Sequence, residues 1–134
     1  MVIPQLRSAP KYLVPQCVEK NDGFGPVIDL GTLGGKLLVV TLGIHDVVER
    51  EGLTISVWGS PSSTDWGSGP LVVFPRKSYC GVYAAILNLA KHPTVRFLRV
   101  SWSMSRWAQR DSDLMFGFYV SMREMHSEVS SAVA

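Results

Sequence analysis

The sequence predicts an all-β protein: an antiparallel β-sandwich, or jelly roll, of about seven or eight strands. Two observations support this fold class. Apolar and polar residues alternate with a period of two in several short segments, of which residues 53–58 are the clearest. Connections rich in Gly, Pro, Ser and Asp separate these segments, and no helix longer than one turn is indicated.

Residues 1–26 are predicted to form an extended N-terminal arm. Three prolines within it disfavour a helix or an unbroken strand ladder, and residues 21–26 have the composition of a turn. Apolar residues are nevertheless spaced along the segment, which is not typical of a disordered tail. We therefore expect the arm to lie on its own domain or on a neighbouring subunit, with Tyr12, Leu13 and Val14 as candidate assembly contacts.

Residues 27–125 are predicted to form the sandwich domain. Its first strand candidates are residues 27–31 and 37–44, and the second has apolar side chains on both faces, which predicts a strand that is central or covered on both sides. A charged connection follows at residues 45–52. Residues 53–58 then alternate strictly, with the odd-numbered side chains predicted to point inward and the even-numbered ones outward.

The loop at residues 59–70 contains three glycines and two prolines, and we expect Trp66 to anchor it. The next strand is predicted at residues 71–74. Residues 79–89 are predicted to form one or two strands. A helix over residues 82–91 is the alternative, because Ala and Leu are good helix formers.

Two further strands are predicted to close the domain. Residues 96–107 and 114–122 both alternate well, and the polar turn at residues 109–113 predicts that they form a hairpin. Residues 126–134 are mostly small and are predicted to be a flexible tail.

Composition favours association with other chains. Hydrophobic residues make up 46% of the 134 residues and charged residues 18%, against the roughly 25% charged residues usual in soluble domains. A small domain with so few charges is expected to bury apolar surface between chains, as a homo-oligomer or a subunit of a larger assembly. A monomer with a surface rich in Ser and Thr is the alternative.

A nucleic-acid partner is not favoured. The net charge of +2 is too small for the usual basic patch. Arginines and aromatic residues do interleave between residues 96 and 110, Arg106 and Trp107 among them, in a way that suits single-stranded nucleic acid. Arginines at the surface or rim of an alternating sheet explain the same pattern more simply.

The cysteines and the apolar runs bear on the compartment. Cys17 and Cys80 do not amount to a disulfide framework, and Cys80 is predicted to be a buried free thiol because apolar residues surround it. The N-terminus lacks a secretory signal pattern, and the longest uninterrupted apolar run, residues 37–40, is far shorter than a membrane span. We expect a soluble protein made in the cytoplasm, whether or not it is part of a particle.

Several stretches together resemble a known family. They are Ile55-Ser56-Val57-Trp58-Gly59-Ser60, Asp65-Trp66, Pro70-Leu71, Phe74, Gly81, Leu89 and Arg96-Phe97-Leu98-Arg99-Val100. Over roughly residues 37–122 this pattern resembles the discoidin-like, galactose-binding-like jelly rolls, and related short sandwich modules of phage structural proteins. The chain has Ser63-Thr64-Asp65-Trp66 where the family has an Asp-Gly pair before its Trp. The resemblance implies a jelly-roll fold and, by analogy alone, carbohydrate binding.

No residue set has the spacing of a catalytic or metal site, so we predict neither an enzyme nor a cofactor. Ser60 lacks the Gly-x-Ser-x-Gly elbow, and the three histidines are far apart in the sequence. Asp111 and Asp113 could bind calcium weakly, although a solvated turn is the simpler interpretation. No pair of acids is singled out for glycoside hydrolysis.

Two functions remain as hypotheses. The first is a non-catalytic structural subunit that self-assembles, or docks in a virion, particle or scaffold, through apolar sheet surface and the N-terminal arm. The second is a carbohydrate-binding module that uses exposed tryptophans. Trp58, Trp66, Trp107 and Arg106 are the candidate residues for contact with a sugar or a protein.

Overall fold

A computed structural model describes residues 11–47, 51–106 and 115–125. These residues form nine β-strands and two short 3₁₀ turns, Gly31–Leu33 and Leu89–Lys91. The strands are β1 (Lys11–Glu19), β2 (Gly23–Phe24), β3 (Ile28–Asp29), β4 (Leu37–Val47), β5 (Glu51–Ser60), β6 (Val72–Lys77), β7 (Gly81–Asn88), β8 (Phe97–Arg106) and β9 (Phe116–Glu124).

The strands form two antiparallel sheets, which confirms the predicted all-β sandwich. Sheet A has the order β1-β9-β4-β7, and sheet B has the order β2-β8-β5-β6, with β3 also paired to β8. If β2 and β3 are counted as one interrupted strand, the strands pair from the two ends of the chain toward its middle: β1 with β9, β2 and β3 with β8, β4 with β7, and β5 with β6. A long antiparallel ribbon folded over on itself in this way is a jelly roll.

The core lies between the sheets and follows the predicted alternation. On β5 the side chains of Leu53, Ile55 and Val57 are completely buried. On β4 the even-numbered residues from 38 to 44 are buried, and the strand is central, between β9 and β7. Residues 81–88 are a strand, so the helical alternative for this segment is wrong.

One predicted pairing is wrong. The last two strands do not form a hairpin, because β8 belongs to sheet B and β9 to sheet A. Both strands have a fully apolar inner face, and the two faces meet across the core, where the rings of Trp102 and Phe118 pack edge to face with centroids 5.4 Å apart. The polar turn predicted between the strands lies within residues 107–114, outside the described residues.

The described part of the predicted arm belongs to the sheets. Residues 11–19 form β1, which adds to the edge of sheet A by pairing with β9. The ladder has register shifts on both sides of Val14, next to Pro15, which has no N–H to donate. Residues 11–26 are therefore built into the same sandwich as the domain that we predicted to begin at residue 27. The rest of the arm and the predicted tail lie outside the described residues.

Cys80 is exposed, so the prediction of a buried thiol is wrong. It lies in the connection that precedes β7, next to the highly exposed Tyr79. Apolar neighbours in the sequence do not imply burial here, because the segment leaves the core between β6 and β7.

Candidate functional site

The outer face of sheet B carries two of the predicted tryptophans. The inward phase of β5 directs Trp58 outward, where it lies beside Arg99 of β8 in the strand register. The indole Nε1 of Trp58 donates a hydrogen bond of 2.9 Å to the Oγ of Ser101. This bond fixes the indole ring against the sheet.

Arg99 contacts two aromatic rings. Its guanidinium carbon is 4.6 Å from the ring centroid of Phe24 and 4.5 Å from that of Trp66, and both distances are typical of cation–π contacts. The Nε atom is buried and has no hydrogen-bond partner among the described residues. We name Phe24, Trp58, Trp66, Arg99 and Ser101 the arginine–aromatic cluster.

The loop after β5 places Trp66 by local hydrogen bonds. The Oγ of Ser60 accepts from the N–H of Ser62 at 3.1 Å, and the Oδ1 of Asp65 accepts from the N–H of Gly67 at 3.1 Å. Gly67 has a φ of +72°, a left-handed conformation that glycine adopts without steric cost. The turn around residue 66 therefore brings the indole ring back onto Arg99.

The cluster has the chemistry of a binding surface. No carboxylate among the described residues forms an ion pair with Arg99. Two aromatic rings contact the guanidinium, and the N–H edge of a guanidinium matches a carboxylate in bidentate geometry. The neighbouring rings of Trp58 and Phe24 can pack against a sugar ring.

The outer face of sheet A is more apolar. Val82 and Ile86 of β7 are 70% and 58% exposed, and Tyr12 of β1 is 49% exposed. The ring of Tyr12 packs edge to face on that of Tyr119, with centroids 6.0 Å apart. A groove of about 400 Å³ crosses this face and is lined by Tyr12, Val39, Thr41, Tyr119, Ser121 and Arg123.

Gly43 makes room for this aromatic pair. A Cβ built on Gly43 would overlap the ring carbons of Tyr119 and lie 2.6 Å from its Oη. The ring of Tyr119 therefore lies directly on the backbone of β4. We name the exposed side of β1, β9, β4 and β7 the sheet A outer face.

The predicted binding and assembly residues have different positions. Trp58 and Trp66 lie in the arginine–aromatic cluster, whereas Trp107 is outside the described residues. Arg106 ends β8, where its backbone pairs with Glu51. Of the three predicted assembly contacts, Tyr12 is on the sheet A outer face, but Leu13 and Val14 are buried in the core.

Phe24 and Arg99 were not among the residues predicted to bind a ligand. The outward phase of Arg99 was visible in the alternation of β8. Its position next to Trp58 depends on the pairing of β8 with β5, however, and Phe24 reaches it because β2 pairs with the other side of β8. Neither pairing could be deduced from the sequence.

Two further polar groups are partly or fully buried. The carboxylate of Glu51 is buried and accepts a hydrogen bond of 2.8 Å from the backbone N–H of Met115. The thiol of Cys17 donates to the carbonyl oxygen of Phe118 at 3.7 Å. Burial, with a smaller contribution from the charge of Glu19, raises the pKa of the Cys17 thiol above its ordinary value of 9.0.

Within residues 11–47, 51–106 and 115–125, no group of three or more His, Cys, Asp or Glu residues is placed to bind one metal ion. The same residues include no helix long and apolar enough to cross a membrane.

No protein-family model matches this chain, and a search of curated proteins finds no significant relative.

Proposed function

We propose that this protein is a non-catalytic structural subunit that assembles with other copies of itself through the sheet A outer face. The exposure of Val82 and Ile86 on β7 is the observation that carries the proposal. Both are apolar β-branched side chains. On a solvent-exposed sheet face, natural sandwiches usually cover such side chains or have polar residues in their place. The low charged fraction of the chain, 18%, supports the same conclusion.

The shape of the face also supports assembly. Tyr12 and Tyr119 form an edge-to-face aromatic pair at one side of the face, and the exposed Val82 and Ile86 of β7 lie at the other side of the same sheet. Tyrosine is enriched in protein interfaces because it offers a large apolar area at a small cost in side-chain entropy. A role in a virion, a particle or a scaffold fits such a face.

The test is the native mass of the purified full chain, measured by light scattering after size exclusion over a concentration series. We expect a defined oligomer at micromolar concentration. High salt should not dissociate it, because the interface is apolar and salt screens only charges. The proposal would be contradicted if the protein stayed a monomer when its concentration was raised about 100-fold above the micromolar starting point. Mass action would favour even a weak dimer at that concentration.

A second function is favoured by a separate observation: the guanidinium of Arg99 contacts two aromatic rings and has no carboxylate partner among the described residues. We propose carbohydrate binding at the arginine–aromatic cluster, with an acidic saccharide as the preferred ligand. The guanidinium edge would take the carboxylate, and Trp58 would pack against the sugar ring. The resemblance to discoidin-like modules leads to the same class of ligand.

Tryptophan fluorescence and calorimetry can test this second function. We expect a uronate-containing oligosaccharide to bind, and its neutral counterpart to bind at least tenfold more weakly. The matched variants are Arg99→Lys, which keeps the charge but loses the planar fork, and Lys20→Arg, an exposed control outside the cluster. Unchanged fluorescence with both sugars, or equal affinity in the Arg99→Lys variant, would refute it.

A further inference from the structure

The described part of the sandwich has four free sheet edges, and three of them are protected against pairing with another chain. β1 carries Pro15 and two register shifts. β6 carries Pro75 and Arg76 and has a register shift against β5. β2 and β3 are only two residues long each. Prolines, charges, bulges and short strands are the features by which natural proteins prevent edge-to-edge association.

The fourth edge, β7, has none of these features. Its eight residues include no proline and no Asp, Glu, Lys or Arg. Its ladder with β4 runs without a register shift from Asn88 opposite Leu37 to Gly81 opposite Ile44. An uncharged, regular, eight-residue edge strand with exposed Val and Ile is the kind of edge that pairs with another strand.

The free backbone groups of this edge can be identified. The N–H of Leu89 donates to the carbonyl oxygen of Lys36 at 2.9 Å, so these two residues are a hydrogen-bonded pair that continues the ladder between β7 and β4. Because an antiparallel ladder alternates, the odd-numbered residues of β7 bond to β4, and the even-numbered ones point their N–H and C=O groups away from it. The free groups therefore belong to Val82, Ala84 and Ile86, which also carry the exposed apolar side chains.

We propose that a second copy of this chain pairs its β7 with this one in antiparallel orientation, about a two-fold axis at Ala84. The two four-stranded A sheets would then form one continuous sheet of eight strands. Val82 would lie opposite Ile86 of the partner subunit, and Ala84 opposite its own copy. The three hydrogen-bonded pairs at residues 82, 84 and 86, with two bonds each, would give about six bonds between the subunits. The inference rests on the proposed self-assembly and places the first contact between subunits at the β7 edge of the sheet A outer face.

Side-chain sizes favour this register. On the outer face it sets one β-branched residue against another, and such side chains pack well against neighbours on a pleated sheet. On the inner face it sets Tyr83 opposite Ala85 of the partner subunit, and Leu87 opposite Gly81 of the partner subunit, so each large side chain meets a small one. An axis at Ala85 would instead place Val82 opposite Asn88 of the partner subunit. Since the strand carries no charge, no like charges oppose each other along the pairing.

The first experiment uses charge at the edge. Ile86→Lys places a cation in the middle of the proposed ladder, whereas Val73→Lys places one on β6, whose edge is already protected. Both side chains are exposed, and far-UV circular dichroism checks that both variants fold. We expect Ile86→Lys to lower the native mass at least twofold at a concentration where Val73→Lys has the mass of the unaltered protein.

The second experiment forms a covalent bond across the axis. In a hydrogen-bonded antiparallel pair the Cα atoms are about 5.5 Å apart, which lies within the range of disulfides. In a Cys80→Ser background, Ala84→Cys should therefore be oxidised to a covalent dimer. Ala90→Cys, which is equally exposed but lies outside the strand, should stay monomeric on a non-reducing gel.

The outcomes separate the two proposals. Suppose that the unaltered protein is an oligomer, that Ile86→Lys does not dissociate it and that Ala84→Cys does not form a covalent dimer. The pairing of β7 is then refuted, and assembly through another part of the sheet A outer face remains. If the unaltered protein is a monomer, both proposals are refuted. Loss of mass in Ile86→Lys together with selective crosslinking at residue 84 supports both.

Discussion

Replacing Gly43 by Ala tests the packing of the sheet A outer face. The backbone of Gly43 is extended and accepts any residue, so the cost of the substitution comes from the space above it. An added Cβ would overlap the ring of Tyr119 and lie 2.6 Å from its Oη. Because Tyr119 is partly exposed, the ring can turn away, and it would then lose its contact with Tyr12.

The expected magnitude has three parts. Loss of the edge-to-face contact costs about 1 kcal/mol, and crowding of the new methyl group costs about 1 kcal/mol. Ala gains about 0.7 kcal/mol over Gly within a strand, because the unfolded chain has less conformational freedom to lose. The net destabilisation is about 1.3 kcal/mol, which corresponds to a fall in Tm of about 4 °C for a domain of this size.

A double-mutant cycle isolates the contact between Gly43 and Tyr119. In a Tyr119→Ala background the space above the strand is empty, so Gly43→Ala should stabilise the protein by about 0.7 kcal/mol. The coupling energy between the two sites should then be about 2 kcal/mol.

Urea denaturation monitored by tryptophan fluorescence provides the four free energies of unfolding, at one protein concentration so that association does not differ between variants. A coupling energy below about 0.5 kcal/mol, the usual limit of additivity, would show that the ring of Tyr119 does not rest on Gly43.

Four other predictions concern the core, the buried carboxylate and the two cysteines. Glu51→Ala should destabilise the fold by about 1–3 kcal/mol, because it leaves the N–H of Met115 without its acceptor, and Glu51→Gln should recover part of this in the same denaturation assay. Phe118→Ala should cost about 3–5 kcal/mol, the usual loss for a fully buried aromatic ring, and a smaller loss would mean that the core collapses around the site. In alkylation followed by mass spectrometry, Cys80 should react before Cys17, because Cys80 is exposed and the pKa of the Cys17 thiol is raised. Since the pKa of Cys17 is higher in the folded than in the unfolded chain, its contribution to stability is complete below the unfolded-state pKa and is lost as the pH rises through the folded-state pKa. Cys17→Ser should remove this alkaline loss.

The sequence predicted burial within each strand well. The phase of β5 and β8 is correct because one face of each strand meets only the core, so every second residue is selected for the same apolar environment. Leu53 and Val100, for example, are both completely buried as expected. The same periodicity also predicted that residues 11–47, 51–106 and 115–125 would contain no long helix.

Pairing between strands could not be predicted from the same pattern. Period-two burial shows which face of a strand is inward but not which sheet the strand joins: Trp102 and Phe118 are both buried, yet they lie on opposite sheets. For the same reason the arginine–aromatic cluster was only half visible: the sequence indicated Trp58 and Trp66, whereas the role of Arg99 follows from the register. The exposure of Cys80 depended on where the chain leaves the core, which local composition does not specify.

The pairing of β1 with β9 has a consequence for how the chain folds. The Sγ of Cys17 bonds to a carbonyl 101 residues away in the sequence, and the whole first strand depends on a partner of similar separation. During synthesis, β1 can find no place in its sheet until the ribosome has released β9. Topologies that depend on such distant contacts fold in milliseconds to seconds or slower. A nascent chain of this protein therefore leaves β1 without its partner until β9 has been made, and that interval is when a chaperone would be needed most.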